Sequence, residues 1–297
     1  MSLWVIFTLA AAALQTLRFM LQKQLKRVGL STGGATFSRF LFAAPIASAL
    51  AGTALVVLDS ALPPLSPDFW VFVLIGAVAQ IVATFLTVAL FSLRNFAVGI
   101  AFTKTETVQV ATFSALFLSE AVSRTGWIAI GIGFCGVILM SRGTGIGAKM
   151  IGRAPLYGIM AGGLFGLSAI GYRGATLALL PAPFFLRTIL ALAAATMLQS
   201  AIMLVWLVWR EPGEVTRVLG LWRKTVWVGV TGAFGSLGWF AAFSLQNAAY
   251  VRALGQVEMV FMVAVSTLVF RERLQLREGL GIALIVASVL IIVLSFG

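Results

Sequence analysis

Histidine is absent from this sequence, cysteine occurs once, and charged residues make up only 10% of its 297 positions. Soluble domains carry roughly a quarter of their residues as charged side chains, whereas this chain is 61% hydrophobic. The composition therefore excludes a soluble protein and indicates that the solvent is a lipid bilayer.

The missing residue types also restrict the chemistry. Without histidine, the chain lacks the usual proton shuttle and the commonest metal ligand. Cys135 stands alone inside an apolar run, so it forms no internal disulfide and no cysteine metal cluster. The usual pairing of a nucleophile with a base is missing as well. We therefore expect no enzyme, no catalytic residue, no metal and no cofactor; an intramembrane enzyme acting on lipid stays as an alternative.

The net charge of +12 lies in short connectors between apolar segments, which predicts topology signals rather than nucleic-acid binding. Alternate connectors place fourteen basic residues on one side of the membrane and only Arg124 clearly on the other. By the positive-inside rule the basic side is cytoplasmic, so both termini are predicted outside a bacterial plasma (inner) membrane. The fourteen are Lys23, Lys26, Arg27, Arg94, Arg142, Lys149, Arg153, Arg210, Arg217, Arg223, Lys224, Arg271, Arg273 and Arg277.

Apolar runs of about twenty residues recur along the whole chain, each long enough to cross a bilayer as a helix. The alternation typical of barrel strands is not seen. Ten spans are predicted at residues 3–22, 33–57, 69–92, 96–118, 125–141, 155–178, 181–208, 225–245, 248–270 and 278–296.

An internal repeat divides these spans into two groups of five. Residues 91–141 align without gaps on residues 243–293, so that Glu106 matches Glu258 and Glu120 matches Glu272. Five is an odd number, so the second half must be inverted relative to the first. We predict an all-α integral membrane protein with ten transmembrane helices, built as two inverted five-helix repeats at 1–146 and 147–297 around a central cavity.

The ends of the repeats carry a resemblance to a known family. The segments "ETVQVATFSALFLSE" from Glu106 and "EMVFMVAVSTLVFRE" from Glu258, with Arg39 in "FSRFLF" and Arg187 in "FLRTIL", resemble the EamA type of the drug/metabolite transporter superfamily. Many relatives have proline after the first glutamate, where this chain has Thr107 and Met259. The resemblance implies solute transport, with helices one to four and six to nine around the cavity and helices five and ten outside it.

Ionisable residues deep in the spans are the first candidates for the site, because a charge at the bilayer centre costs at least about 2.5 kcal/mol. Lys104, Glu106 and Glu258 are predicted near the midplane. A glutamate there can exchange a proton and so couple solute movement to a proton gradient; alternatively, each glutamate pairs permanently with a base. On a continuous helix Lys104 and Glu106 lie about 200° apart, so only one is expected to face the cavity.

Further polar side chains are predicted to bind the substrate or coupling ion. Arg18 and Arg173 suit bidentate binding of a carboxylate or phosphate, although snorkelling to the headgroups explains them equally. Helix packing is the alternative for the amides. The other candidates are Gln15, Gln80, Gln109, Gln256, Tyr172 and Trp239, and Arg39 and Arg187 are assigned to structure.

The sequence favours a secondary transporter that moves a small polar metabolite, an amino-acid-like zwitterion or an organic anion, by alternating access with possible proton coupling. The alternatives are a lipid-handling membrane protein and the intramembrane enzyme. The expected partners are the solute, protons and membrane lipids, with no nucleic acid, and the expected assembly is a monomer or weak homodimer.

Overall fold

Long apolar runs fold into helices, because a helix satisfies its backbone hydrogen bonds internally. The computed structural model describes residues 2–93, 103–141, 153–269 and 276–296, and every regular element in these ranges is helical. The helices are α1 (Leu3–Arg27), α2 (Thr32–Val57), α3 (Pro67–Leu93), α4 (Glu106–Leu118), α5 (Arg124–Ser141), α6 (Arg153–Leu177), α7 (Phe184–Arg210), α8 (Glu214–Gly220), α9 (Trp222–Leu245), α10 (Ala248–Leu254), α11 (Val257–Val269) and α12 (Leu276–Phe296).

The lengths and hydropathy of these helices are those of an integral membrane protein. Within the described ranges six helices are long and apolar enough to cross a bilayer, and two shorter apolar helices lie in α4 and α5. The all-helical, multi-pass membrane architecture predicted from composition is confirmed. The start of the predicted span 96–118 and the connector residues Arg94, Arg142, Lys149, Arg271, Glu272 and Arg273 lie outside the described residues.

The span predicted at 248–270 is wrong in one respect, because it is two short helices rather than one. Gly255 and Gln256 separate α10 from α11, and the Gln256 N–H bonds three residues back to Ala253 at 3.2 Å. A Cβ atom on Gly255 would lie 2.7 Å from the ring of Trp239. The glycine therefore lets an aromatic ring pack against the break. Hydropathy cannot detect such a break, since both pieces are apolar.

A turn also lies at the equivalent place in the first half. Residues 104 and 105 form a turn, and α4 begins at Glu106. Glu258 likewise lies in the first turn of α11. Both glutamates that the repeat aligns are thus at the N-terminus of a half-helix, and neither is followed by proline.

Helix contacts are reciprocal between the two halves. The first helix of each half packs against the third membrane helix of the other, giving the pairs α1 with α9 and α6 with α3. The second helices, α2 and α7, pack together, as do the last helices, α5 and α12. This exchange pattern is expected when two repeats are related by a pseudo-twofold axis.

Glycines bring α5 and α12 close together. A Cβ on Gly136 would lie 2.7 Å from the carbonyl oxygen of Gly281, and Ser288 Oγ donates to the Ala129 carbonyl at 2.7 Å. The small residues of these helices therefore serve packing inside one protomer.

Gly136→Ala should lower the free energy of unfolding by about 1–3 kcal/mol, because the added methyl group meets backbone that cannot move aside. Gly131 is a matched control on the same helix, since nothing lies within 4 Å of its Cβ position. Gly131→Ala should leave stability unchanged or raise it by up to about 1 kcal/mol. Unfolding of both variants in detergent, followed by tryptophan fluorescence, checks this; equal effects would contradict the packing assignment.

Candidate functional site

Two buried ion pairs join the halves of the chain at the interrupted helices. Lys104 Nζ contacts Glu258 Oε2, and Arg252 Nε lies 2.8 Å from Glu106 Oε1. Both carboxylates lie in the first turn of a helix, where the helix dipole favours negative charge. Glu258 is fully buried, and Glu106 is 5% exposed. The pairs are therefore shielded from water. Charges interact strongly in such an interior, because its dielectric constant is low.

The arrangement of the cations differs between the halves. Lys104 lies in the turn just before its own half-helix, whereas Arg252 belongs to α10, on the other side of the second break. The 200° separation expected of Lys104 and Glu106 does not apply, because the helix starts only at Glu106. Both side chains therefore form an ion pair, and each binds a residue of the opposite half.

The two carboxylates keep free hydrogen-bonding capacity. Glu258 Oε2 accepts from Lys104 and from Gln15 Nε2, the latter at 3.1 Å, while Glu258 Oε1 has no partner among the described residues. The Arg252 contact with Glu106 is close but not aligned as a hydrogen bond. A proton or a donor group of a ligand can therefore be accepted there.

Trp239 connects the two ion pairs. Its indole N–H donates to Gln15 Oε1 at 3.1 Å, and its ring centroid lies 4.5 Å from the guanidinium carbon of Arg252. The same ring packs on Gly255 at the helix break. Movement of this tryptophan would therefore disturb both ion pairs.

A second group of polar side chains continues from Gln15 across α1, α2, α3, α6 and α7. Arg18 donates to Gln15 and Gln22, both at 3.4 Å. Arg39 on α2 donates to Thr84 at 3.0 Å and to Ser236 of α9 at 3.2 Å.

Tyr172 of α6 is a further member of this group. Its hydroxyl accepts from Gln199 Nε2 at 2.8 Å and contacts the Gln80 amide. In the amide orientation that satisfies both neighbours, the Gln80 carbonyl accepts from Arg39 Nη2 at 2.8 Å. We call the ion pairs together with these side chains the central polar network. Of the predicted site residues, it brings together Gln15, Arg18, Gln80, Lys104, Glu106, Tyr172, Trp239 and Glu258.

Two predicted glutamines lie beside this network rather than in it. Gln109 donates to Thr105 Oγ1 at 3.1 Å and packs against Gly163 of α6. Gln256 donates to Thr107 Oγ1 at 3.0 Å and packs against Gly133 of α5. Both amides bridge neighbouring helices, which is the packing alternative for intramembrane amides.

Arg173 lies at one end of the bundle, in a different ion pair. Its guanidinium binds Glu120 through Nε at 3.1 Å and Nη2 at 2.6 Å, and Nη1 donates to the Phe243 carbonyl at 2.6 Å. Asn247 adds hydrogen bonds to Ser114 at 3.1 Å and to the Glu120 carbonyl at 3.4 Å. These side chains, which we call the Glu120 cluster, again join the first half to the second.

The opposite end of the bundle is joined by a second polar cluster. Glu214, only 4% exposed, accepts from the Ser31 backbone N–H at 2.6 Å and from Arg217 at 2.8 Å. Ser31 Oγ also contacts Glu211. This Glu214 cluster, like the Glu120 cluster, connects the two halves. The internal repeat had identified Glu120 through its match with Glu272, whereas Glu214 gave no signal, because connector acids are common.

Arg187 takes no part in the central polar network. Its Nη1 donates to the Thr176 carbonyl at 3.3 Å, as a structural residue would. Arg39, its counterpart in the first half, binds three side chains of other helices instead. The two halves thus use the same arginine position differently.

Several network members were missed at the sequence level. Arg252 was visible as an intramembrane base six residues before Glu258, but nothing in the sequence paired it with Glu106. Gln22 was visible only as an amide in an apolar span. Thr84 and Ser236 gave no signal, since small hydroxyl residues occur throughout membrane helices.

Comparisons with known proteins agree with this architecture. The sequence model of the EamA-like transporter family matches residues 2–142 and, a second time, residues 155–294. A solved structure described only as "Crystal structure of protein" has a TM-score of 0.65 and 15% identity, covering 96% of this chain and 98% of that one. At this identity the likeness establishes the fold alone. A search among curated proteins gives no significant match.

Proposed function

This chain belongs to the EamA-like transporter family, and from that premise we propose that it is a secondary transporter for a small polar metabolite, either an amino-acid-like zwitterion or an organic anion. Membership makes it a membrane transporter of the drug/metabolite type. The proposal adds the solute class, alternating access between two inverted halves, and coupling to protons.

The observation that carries the proposal is that two buried ion pairs join the halves where α4 and α11 begin. Discontinuous helices near the midplane are where many transporters bind solutes and coupling ions. Here each break presents a carboxylate, and each carboxylate is held by a cation from the opposite half. Any movement of one half against the other must therefore rearrange these charges.

The two end clusters fit the same mechanism. The Glu120 cluster and the Glu214 cluster each join the halves at one end of the bundle. In alternating access one end opens while the other stays closed. Breaking one cluster at a time would give the network access to one side of the membrane and then to the other.

Proton coupling is assigned to Glu258. Its Oε1 atom has no partner among the described residues, so a proton can bind there without first displacing a hydrogen bond. Protonation would weaken the attraction to Lys104 and so release the opposite half. The orientation in this proposal has both termini outside, with the Glu120 cluster at the outer end and the Glu214 cluster at the cytoplasmic end.

Purified protein in proteoliposomes tests the function. Amino acids and organic acids are first screened for thermal stabilisation, and uptake of each radiolabelled hit is then measured with and without an imposed pH gradient. We expect saturable uptake that the gradient drives uphill. The Glu258→Gln variant should lose the uphill component by at least tenfold while exchange of internal for external solute continues.

Gly131→Ala serves as the control in these vesicles, because that position contacts nothing within 4 Å. It should transport like the unmodified chain. If no stabilising solute gives saturable uptake, transport of this solute class is refuted. If Glu258→Gln keeps the uphill component, the transport assignment survives and the proton assignment is wrong.

A further inference from the structure

Two arginines of the central polar network have no acidic partner. Arg18 is 2% exposed and Arg39 is 3% exposed. Within the described part of the chain, neither guanidinium lies within 4 Å of a carboxylate, whereas Lys104, Arg173, Arg217 and Arg252 each do. A buried cation without a counter-charge is strongly unfavourable, so these two positions call for an anion.

The two arginine side chains lie at one place in the bundle. Both pack on Gly232 of α9, where an added Cβ would lie 3.0 Å from Arg39 Cγ and 3.5 Å from Arg18 Cδ. Neighbouring like charges repel each other, and the repulsion is greater away from water. Any hydrogen bonds to uncharged groups leave that repulsion in place, so a shared negative ligand would remove it.

The hydrogen bonds of Arg18 are longer than those that a guanidinium forms with an oxyanion. Its two bonds to the Gln15 and Gln22 amides are both 3.4 Å long, whereas bonds between a guanidinium and an oxyanion are typically about 2.7–2.9 Å. Arg39 is held more firmly by Thr84 and Ser236. Arg39 is therefore fixed in place, and Arg18 is the side chain that can turn toward a ligand.

The second half of the chain provides a contrast. Arg173, late in the first helix of that half, is neutralised by Glu120, and Arg187 donates to a backbone carbonyl. The two ion pairs of the central network balance each other, two acids against two bases. Arg18 and Arg39 therefore give the central polar network an excess of two positive charges.

We propose that Arg18 and Arg39 together bind the oxyanion of the transported solute, a carboxylate or phosphate group. The inference rests on the proposed function, whose solute class it narrows to anions and to molecules that carry an anionic group. Gln15 contacts both Arg18 and Glu258, so an anion at the arginines would act directly on the Lys104 pair. Solute binding and release of the halves would thereby be coupled.

Thermal unfolding of the full chain in detergent tests this at constant ionic strength, with sodium succinate, sodium glutamate and inorganic phosphate as probes. At least one probe should raise the unfolding temperature saturably. The shift should disappear in Arg18→Gln and Arg39→Gln and persist in the control Arg187→Gln. Response to phosphate alone or to the carboxylates alone identifies the group that is bound.

The unliganded variants supply a second measurement. In a buffer with little anion, Arg18→Gln and Arg39→Gln should unfold at the same or a higher temperature than the unmodified chain, since each removes an unbalanced charge. A clear loss of stability in both variants, no response to any probe, or a response that persists in both would overturn the inference. Arginine-dependent anion binding without uptake in vesicles would instead refute only the transport proposal, whereas uptake indifferent to both arginines would refute only the anion site.

Discussion

Glu258→Gln is expected to lower the free energy of unfolding by about 3–5 kcal/mol, because it leaves the Lys104 ammonium buried without a counter-charge. The contact joins two side chains that are 8% and 1% exposed, so water cannot take the place of the lost carboxylate. Glutamine keeps the size and the hydrogen bond from Gln15, which confines the change to the charge. Reversible unfolding in mixed detergent micelles measures the difference.

A double variant separates the charge from other effects of the substitution. Lys104→Met combined with Glu258→Gln removes both charges and should recover most of the lost stability, since no buried charge is then left without a counter-charge. A double variant as unstable as the single one would show that the charge pair is not the cause.

The two buried ion pairs bear on whether the glutamates stay paired permanently or separate from their cations during transport. A pair within one half could stay closed throughout a transport cycle, but both pairs run between the halves. If the halves move against each other, the pairs must open or shift with them. The free oxygen of Glu258 offers a route, because protonation lowers the attraction that holds Lys104.

The sequence was most informative where lipid makes polar groups costly. Lys104, Glu106 and Glu258 were identified because an ionisable residue in an apolar span needs a partner. Their partners were not predictable: Lys104 reaches across 154 residues of sequence to Glu258. A contact of that range depends on the packing of α1, α4 and α11, which no local pattern encodes.

The errors have a common physical origin in the helix breaks. The angle between Lys104 and Glu106 was derived from an unbroken helix, and the turn before Glu106 removes that relation. Breaks of this kind depend on tertiary contacts, such as Trp239 on Gly255, that hydropathy does not see.

Arg173→Leu is expected to increase access to the network by tenfold or more from the end that holds the Glu120 cluster, which is the outer end in the proposed orientation. The Glu120 cluster contributes several hydrogen bonds between charged groups across the halves, each worth about 1.5–3 kcal/mol. If the cluster is made only while the outer end is closed, its loss shifts the population toward the open form by the same free energy. Ser114, which is 0% exposed beside Asn247, is a suitable reporter. In a Cys135→Ser background, the rate at which a membrane-impermeant maleimide labels Ser114→Cys should rise in intact cells.

A reporter at the other end decides between gating and general loosening. Ser38 on α2 is also 0% exposed and lies nearer the Glu214 cluster. Labelling of Ser38→Cys in inside-out vesicles should not rise with Arg173→Leu, but should rise with Glu214→Gln, which weakens the Glu214 cluster. Arg187→Leu, which removes one bond to a carbonyl, should change neither rate. If Arg173→Leu exposes both reporters alike, the Glu120 cluster merely stabilises the fold; opposite responses to the two variants would mean that the ends open alternately.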